Sequence, residues 1–325
     1  MAKAIIMAGG LGERFWPLTT AEFPKYCIPF EKQSLLERTY RRLQRLYKTS
    51  DIYVITTRSQ KNIIRRELPQ LKASNLLLEP FRNNTAPAIL FTCEALRKKY
   101  GREEVVSFYP ADHLIQNNAL FHKTMALAID TAKKTENLVV LGIRPSFPAT
   151  GYGYIQSGST IPGLKAALCV ERFVEKPNRK RAKIYLQKGN FYWNSGIFTW
   201  KTGVLIDAMK KYAPEQDYKH SGLSIDCAVL EKADNVVFCK TEMDWCDLGN
   251  WDMWHEKLPK DAKQNHVEGA VRLKEVSRSL IINRDPKRPL TIEGAADIII
   301  VHTPNGTLVC RRGHAEEAAR LGSKK

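Results

Sequence analysis

The feature that most constrains the fold is an alternation of two kinds of segment. Short apolar runs, namely Ala4–Met7, "IYVIT" from Ile52, "NLLLEP" from Asn75, "VVSFYP" from Val105 and "LVVLGI" from Leu138, are separated by stretches of helical periodicity. In "QSLLERTYRRLQRLYK" Ser34 and Glu37 are spaced as a capping box, and Leu35, Leu36, Leu43 and Leu46 recur at helical intervals. Further helices are predicted from about Gln60, over Thr85–Lys99 and over Phe121–Lys134. Runs too short for helices, alternating with helices, imply parallel strands joined by crossovers. That is an α/β fold, with ligands expected at the carboxyl ends of the strands.

After Arg144 the rhythm changes. "TGYGYIQSG" reads as a hairpin arm, "LCVERFVEKP" as another strand, Asn178–Lys188 as a helix, and "YWNSGIFTW" and "NVVFCK" as short strands. This mixed extension is expected to cover the open end of the sheet as a specificity lid. Pro259–Gln264 reads as a polar linker, which divides the chain into domains 1–258 and 259–325. The second domain is strand and turn up to a closing helix near His314–Leu321. Within it "LIINRDPKRPLTI" aligns with "IIIVHTPNGTLVC" at an offset of 18, setting Leu280 on Ile298 and Leu290 on Leu308. Such an offset suits one triangular coil of a β-helix, and a pair of hairpins suits it nearly as well.

Composition removes several function classes. No run is long and apolar enough for a membrane span, and "MAKAIIMAGG" reads as a first strand rather than a signal peptide, so a cytoplasmic protein with no membrane partner is expected. The seven cysteines are scattered without a C-x-x-C pair, and the seven histidines show no H-E-x-x-H spacing. Reduced thiols and the absence of a zinc site are therefore expected. The net charge of +17 raises the question of nucleic acid. Its basic pairs are dispersed and several fall late in predicted helices, where cations complement the dipole and stay solvated. No specific nucleic-acid partner is expected, and a polyanionic small substrate suits the charge equally.

The first strand empties into "AGGLGERFWPLTTAEFPK". Two known phosphate loops fail here. A dinucleotide fingerprint starting at Gly10 needs a third glycine where Phe15 stands, and a P-loop needs Gly-Lys-Ser/Thr where Arg14 and Phe15 follow. The loop keeps the physics of an anion cradle, with amides freed to converge by glycine and two cations, Arg14 and Lys25. An ordinary strand–turn–helix junction explains it as well. "EPFRNNTAPAI" opens a helix at a strand's end, which offers amides and small residues to a base or ribose. "FYPADH" places Asp112 at a strand's carboxyl edge, and "MDWCDLGNW" supplies Asp247 in a turn. Two hard carboxylates suit Mg²⁺ together with substrate phosphates. Asp247 could instead cap the following helix, and Glu175–Lys176 in "FVEKP" could be a surface ion pair.

Taken together these stretches resemble the sugar-nucleotide pyrophosphorylases, and most closely the short bacterial mannose-1-phosphate guanylyltransferases. "AGGLGERFWPLT…FPK", "EPFRNNTAPAI", "PADH", "TGYGYI", "FVEKP", "WNSGIF", "SIDCAVLEK" and "DWCDLGNW" occur in the family's order over about Met1 to Trp254, and "ADIIIVHTPNGTLVC" resembles its small C-terminal domain. The resemblance implies a Rossmann-like nucleotidyltransferase (GT-A-like) mixed sheet flanked by helices, followed by a small β-rich domain in the manner of a short left-handed β-helix. It implies the reaction of GTP with mannose 1-phosphate to give GDP-mannose and pyrophosphate, with Mg²⁺ as cofactor and a homodimer as the assembly.

For individual residues the resemblance implies catalytic roles for Arg14, Lys25 and Lys176. It places the nucleotide at Ala8, Gly9, Gly10, Gly12, Asn84, Thr85, Ala86 and Asp112, the sugar at Gly153, Glu175 and Asn194, and the metal at Asp112 and Asp247. Tyr26 departs from the family, which has Gln after Pro-Lys, and the stretch 214–225 is shorter than in relatives. The chain leaves no room for a phosphomannose-isomerase domain, so a single activity is expected. Three alternatives remain: the same chemistry on another sugar or nucleotide, a non-catalytic regulator of the same fold, and a nucleic-acid-binding protein suggested by the charge of +17.

Overall fold

A computed structural model describes residues 2–81, 83–215 and 222–323. It contains two compact units, Met1–Gly9 with Leu36–Cys246, and Gly10–Leu35 with Asp247–Lys325. In the first, a nine-stranded mixed sheet runs in the order Leu76–Glu79, Ile52–Thr57, Lys3–Met7, Val105–Pro110, Phe191–Lys201, Leu138–Ile143, Val236–Thr241, Leu164–Val174 and Tyr154–Ile161. The strands of the initial alternation are mostly buried on both faces, which is why they read as continuous apolar runs. Lys3–Met7 pairs in parallel with Ile52–Thr57 on one side and with Val105–Pro110 on the other.

The sheet is not parallel throughout: Leu164–Val174 runs against both of its neighbours, and so does Phe191–Lys201. The latter strand lies between Val105–Pro110 and Leu138–Ile143, antiparallel to both. The expected lid is therefore corrected in this part: "YWNSGIFTW" is an internal strand of the main sheet. Its inward residues supply core, with Trp200 fully buried and stacked against Phe198 at 5.4 Å between ring centroids. Tyr154–Ile161 and Leu164–Val174 form the expected hairpin arm at the sheet's edge. Helices Thr85–Tyr100 and Thr202–Tyr212 pack on each other, and Asn118–Lys134 packs on the strands Leu138–Ile143, Phe191–Lys201 and Val236–Thr241. Asn84, Asn117 and Asn178 cap their helices through side-chain oxygens.

The C-terminal strands of the second unit stack in parallel. His266–Glu268, Leu280–Asn283 and Ile298–Thr303 form one ladder, and Val271–Lys274 pairs with Leu290–Glu293 on a second face. The register is 19, not the 18 of the sequence alignment: Leu280 faces Ile299 and Val271 faces Leu290. The turn backbone repeats at the same spacing. Glu275 and Arg278 take left-handed backbone, as do Gly294 and Asp297 at the same positions of the next coil. Arg278 and Asp297 then form a two-pronged ion pair at 2.9 and 2.6 Å. Beyond Thr303 the chain folds back as an antiparallel hairpin, Gly306–Arg311 on Ile298–Thr303, so Leu308 faces Val301 and does not continue the coil. Val276, Ile281 and Ile300 form a core between the faces.

Candidate functional site

The glycine loop is organised around Lys25. Gly12 has φ +75°, and a Cβ on it would stand 2.3 Å from the Cβ of Lys25, so glycine is required there by conformation and by space. The Lys25 N–H donates to the Leu11 carbonyl at 3.1 Å, and Thr19 Oγ1 donates to the Gly12 carbonyl at 2.9 Å. The Lys25 side chain is only 7% exposed. Its Nζ donates to the backbone carbonyl of Asp247 at 2.6 Å and lies 5.6 Å from the centre of the Phe15 ring. Phe15 is itself buried edge-on against Trp251 and Trp254, at 4.8 and 5.6 Å. Tyr26, the departure from the family, is buried beside Lys25.

Arg14 is exposed. The backbone at Gly249 passes close to Arg14 and to the Asp247 carboxylate: a Cβ there would stand 3.1 Å from Asp247 Oδ2 and 3.5 Å from Arg14 Nη1. Asp247 does not cap the helix Trp251–Lys257. The cap is Asn250, whose Oδ1 accepts the Met253 N–H at 3.0 Å. The capping explanation for Asp247 is thereby removed.

In the first unit the predicted nucleotide residues occupy strand ends and one helix start. The Ala8 backbone is engaged on both sides, with its N–H on Ile55 and its carbonyl on Thr56 Oγ1. Gly9 faces the Glu79 carboxylate. Gly10, in the second unit, is exposed, and a Cβ added there would meet nothing within 4 Å. Asn84 caps Thr85–Tyr100 by accepting the Thr85 N–H at 2.8 Å. Thr85 Oγ1 accepts the Ile225 N–H at 2.9 Å, the Ala86 N–H donates to Leu223 at 3.3 Å, and Ala86 is fully buried. Asp112 follows the strand Val105–Pro110 and is half-buried, beyond an Ala111 N–H that donates to Met7 at 3.1 Å.

The predicted sugar residues do come together. A Cβ on Gly153 would stand 2.7 Å from Glu175 Oε2 and 3.4 Å from Asn194 Cβ, so the missing side chain makes room for both. The Asn194 N–H donates to the Gly153 carbonyl at 2.8 Å. Lys176, with φ +44°, pairs through Nζ with Glu175 Oε1, and the Glu175 N–H donates to Glu231 Oε1 at 2.8 Å. One further member is Asp226, whose Oδ1 accepts from Asn194 Nδ2 at 2.7 Å. Burial, and then the Glu175 charge, push the Asp226 carboxyl up to about 6. Burial opposes the charge on Lys176, but Glu175 and Asp226 more than offset it, and the ammonium's pKa is raised.

Comparison with known proteins identifies the family. Residues 3–264 match the family model described as nucleotidyl transferase. Mannose-1-phosphate guanylyltransferases of Escherichia coli and Klebsiella pneumoniae are each 33% identical to this chain over 98% of its length and 73% of theirs. The chain belongs to the mannose-1-phosphate guanylyltransferase family of nucleotidyltransferases. A crystal structure named as a mannose-1-phosphate geranyltransferase from Thermus thermophilus superposes with a TM-score of 0.86 at 28% identity, covering 98% of both chains.

Within this nucleotidyltransferase, the donor set can be tested for a divalent metal. Among the described residues no group of three or more His, Cys, Asp or Glu side chains could hold an ion. A protein-only cage is thus absent from that part of the chain, whereas single carboxylates such as Asp112 and Asp247 fit Mg²⁺, which takes one or two carboxylates plus substrate phosphates. Reading the sequence missed Asp226 and Glu231. Both lie in "SIDCAVLEK", a segment recognised as family-like but given no role, and Asp226 is 32 residues from its partner Asn194. The short stretch 214–225 includes residues 216–221, which lie outside the described residues. Among the described residues no helix is long and apolar enough to cross a membrane.

Proposed function

We propose that the chain catalyses guanylyl transfer from GTP to α-D-mannose 1-phosphate, releasing pyrophosphate. The observation that carries this reading is the convergence of Gly153, Glu175, Lys176 and Asn194 on one place, a cation beside hydrogen-bonding groups, as a sugar phosphate requires. The nucleophile is a phosphate oxygen and already an anion, so no strong general base is needed. An oxygen of the sugar phosphate attacks the α-phosphorus in line, the new P–O bond forms, and the bond to the β-phosphate oxygen breaks with its electron pair leaving on pyrophosphate.

Lys176 holds the sugar phosphate, while Glu175, Asn194 and the backbone at Gly153 take sugar hydroxyls. The loop of Gly9, Gly10 and Gly12, which follows Ala8, wraps the triphosphate, and Arg14 and Lys25 draw charge from the departing pyrophosphate. Asn84, Thr85 and Ala86 form the wall beside the nucleoside. Asp112 and Asp247 are the ligands proposed for Mg²⁺, which when bound supplies neutralisation of phosphate charge. In this reading the catalytic domain is 1–258, the parallel coils of 259–325 are a short left-handed β-helix, and the enzyme works in the cytoplasm as a homodimer.

The test is pyrophosphate release with Mg²⁺ across nucleoside triphosphates and hexose 1-phosphates. A maximum at GTP with mannose 1-phosphate is expected. A maximum elsewhere keeps the mechanism and overturns the substrates, and silence from folded protein favours the non-catalytic regulator.

A further inference from the structure

Asp226 begins a short π-helical turn, Asp226–Leu230, anchored on both sides. Ile225 before it is fully buried and bonds through its N–H to Thr85 Oγ1, and Ala228, Val229 and Leu230 after it are buried in the main core. The carboxylate is thus carried on a rigid piece of backbone, and irregular turns of this type often sit at functional sites. Its partner is the Asn194 amide. Asn194 Nδ2 faces the Asp226 carboxylate at 2.7 Å, and Asn194 Oδ1 accepts the Gly196 N–H at 3.2 Å. Turning the amide over would set oxygen against a carboxylate and NH₂ against an N–H, so only one orientation satisfies both neighbours. That orientation leaves one N–H and one lone pair of Asn194, the complement of a single sugar hydroxyl.

We propose that Asp226 is a positioning residue for the sugar phosphate: it locks the Asn194 amide and, together with Glu175, supplies the negative charge against which Lys176 rests until a phosphate takes it. This rests on the sugar-phosphate reading above. The groups facing Asp226 are Glu175 and Lys176 from the turn after Leu164–Val174, Asn194 from the strand Phe191–Lys201, and the Ser224 hydroxyl of its own segment, while the Cys227 thiol lies near Lys176. Because the carboxyl titrates near 6, protonation below that pH weakens its hold on both partners.

The test measures equilibrium binding of mannose 1-phosphate by calorimetry and steady-state kinetics at saturating GTP, for wild type, Asp226→Ala and Asp226→Asn. Asp226→Ala is expected to weaken sugar-phosphate binding and raise its KM about 10-fold or more, the loss of a hydrogen bond to a charged acceptor, with kcat and the KM for GTP little changed. Asp226→Asn retains an acceptor oxygen but not the charge, and recovers only part of the affinity at pH 8. The ratio of wild-type to Asn-variant affinity falls as pH drops through about 6, and the phosphate's own titration, common to both, cancels from it. An alanine variant that binds and turns over mannose 1-phosphate as wild type does overturns the positioning role. Should that variant not fold, a wild-type to Asn-variant ratio that stays flat from pH 8 to 5 overturns it instead. Wild-type protein that binds no sugar 1-phosphate overturns the underlying reading as well.

Discussion

Lys25 and Lys176 are assigned similar work on phosphate groups, yet the protein holds them in opposite ways. Lys25 is 7% exposed, its ammonium is fixed to a backbone carbonyl at 2.6 Å, and its stem fills the space that Gly12 leaves. Lys176 has a side chain 60% exposed and rests on the Glu175 carboxylate. The first cation is preorganised at the cost of coupling activity to packing, since whatever moves it also disturbs the buried loop. The second can change partner, from a carboxylate to a phosphate, without disturbing the core. One cation is fixed and the other exchangeable.

Paired substitutions break or sharpen this contrast. The largest effect is expected from alanine at each lysine. Both lose about 100- to 1,000-fold in kcat/KM, the usual cost of removing one preorganised donor to developing charge. Lys176→Ala keeps its unfolding free energy within about 0.5 kcal/mol in urea, as an exposed position does. Lys25→Ala loses about 1.5–3 kcal/mol besides, because a carbonyl loses its charged donor. Equal stability of the two variants would erase the distinction. A smaller effect is expected from Gly12→Ala, in which left-handed strain costs about 1–3 kcal/mol and pushes Lys25 from its carbonyl. Urea unfolding and the KM for each substrate measure it, and a wild-type midpoint with wild-type kinetics would count against the close approach. The smallest effect belongs to the cap. Asn250→Ala should cost about 1 kcal/mol and leave Mg²⁺ dependence intact, whereas Asp247→Asn should leave stability near wild type and shift the Mg²⁺ titration. The reverse pattern would return Asp247 to a structural role.

Much of the fold was legible from local pattern. Strands at Lys3–Met7, Ile52–Thr57 and Val105–Pro110 and the helix Thr85–Tyr100 follow from runs and periodicities contained within themselves. The placement of a strand in a sheet is not encoded that way. Phe191–Lys201 looks like any short strand, and only its neighbours put it in the middle of nine. The repeat behaved likewise: the apolar residues align at 18, but the ladder pairs them at 19, the spacing at which the left-handed positions Glu275 and Gly294, and Arg278 and Asp297, also recur.

The candidate site divides along the same line. The amino-acid sequence by itself determined the family, the residue types at Arg14, Lys25, Asp112, Glu175, Lys176, Asn194 and Asp247, and the chemistry those types favour. Tertiary structure alone decided which of these side chains are held and by what. It put Lys25 on a carbonyl 222 residues away, gave the helix cap to Asn250 in place of Asp247, and brought Asp226 to Asn194. The physical reason is that helix and strand preferences arise from neighbours a few residues apart, while the energy of a charge or an amide depends on the groups that folding places around it.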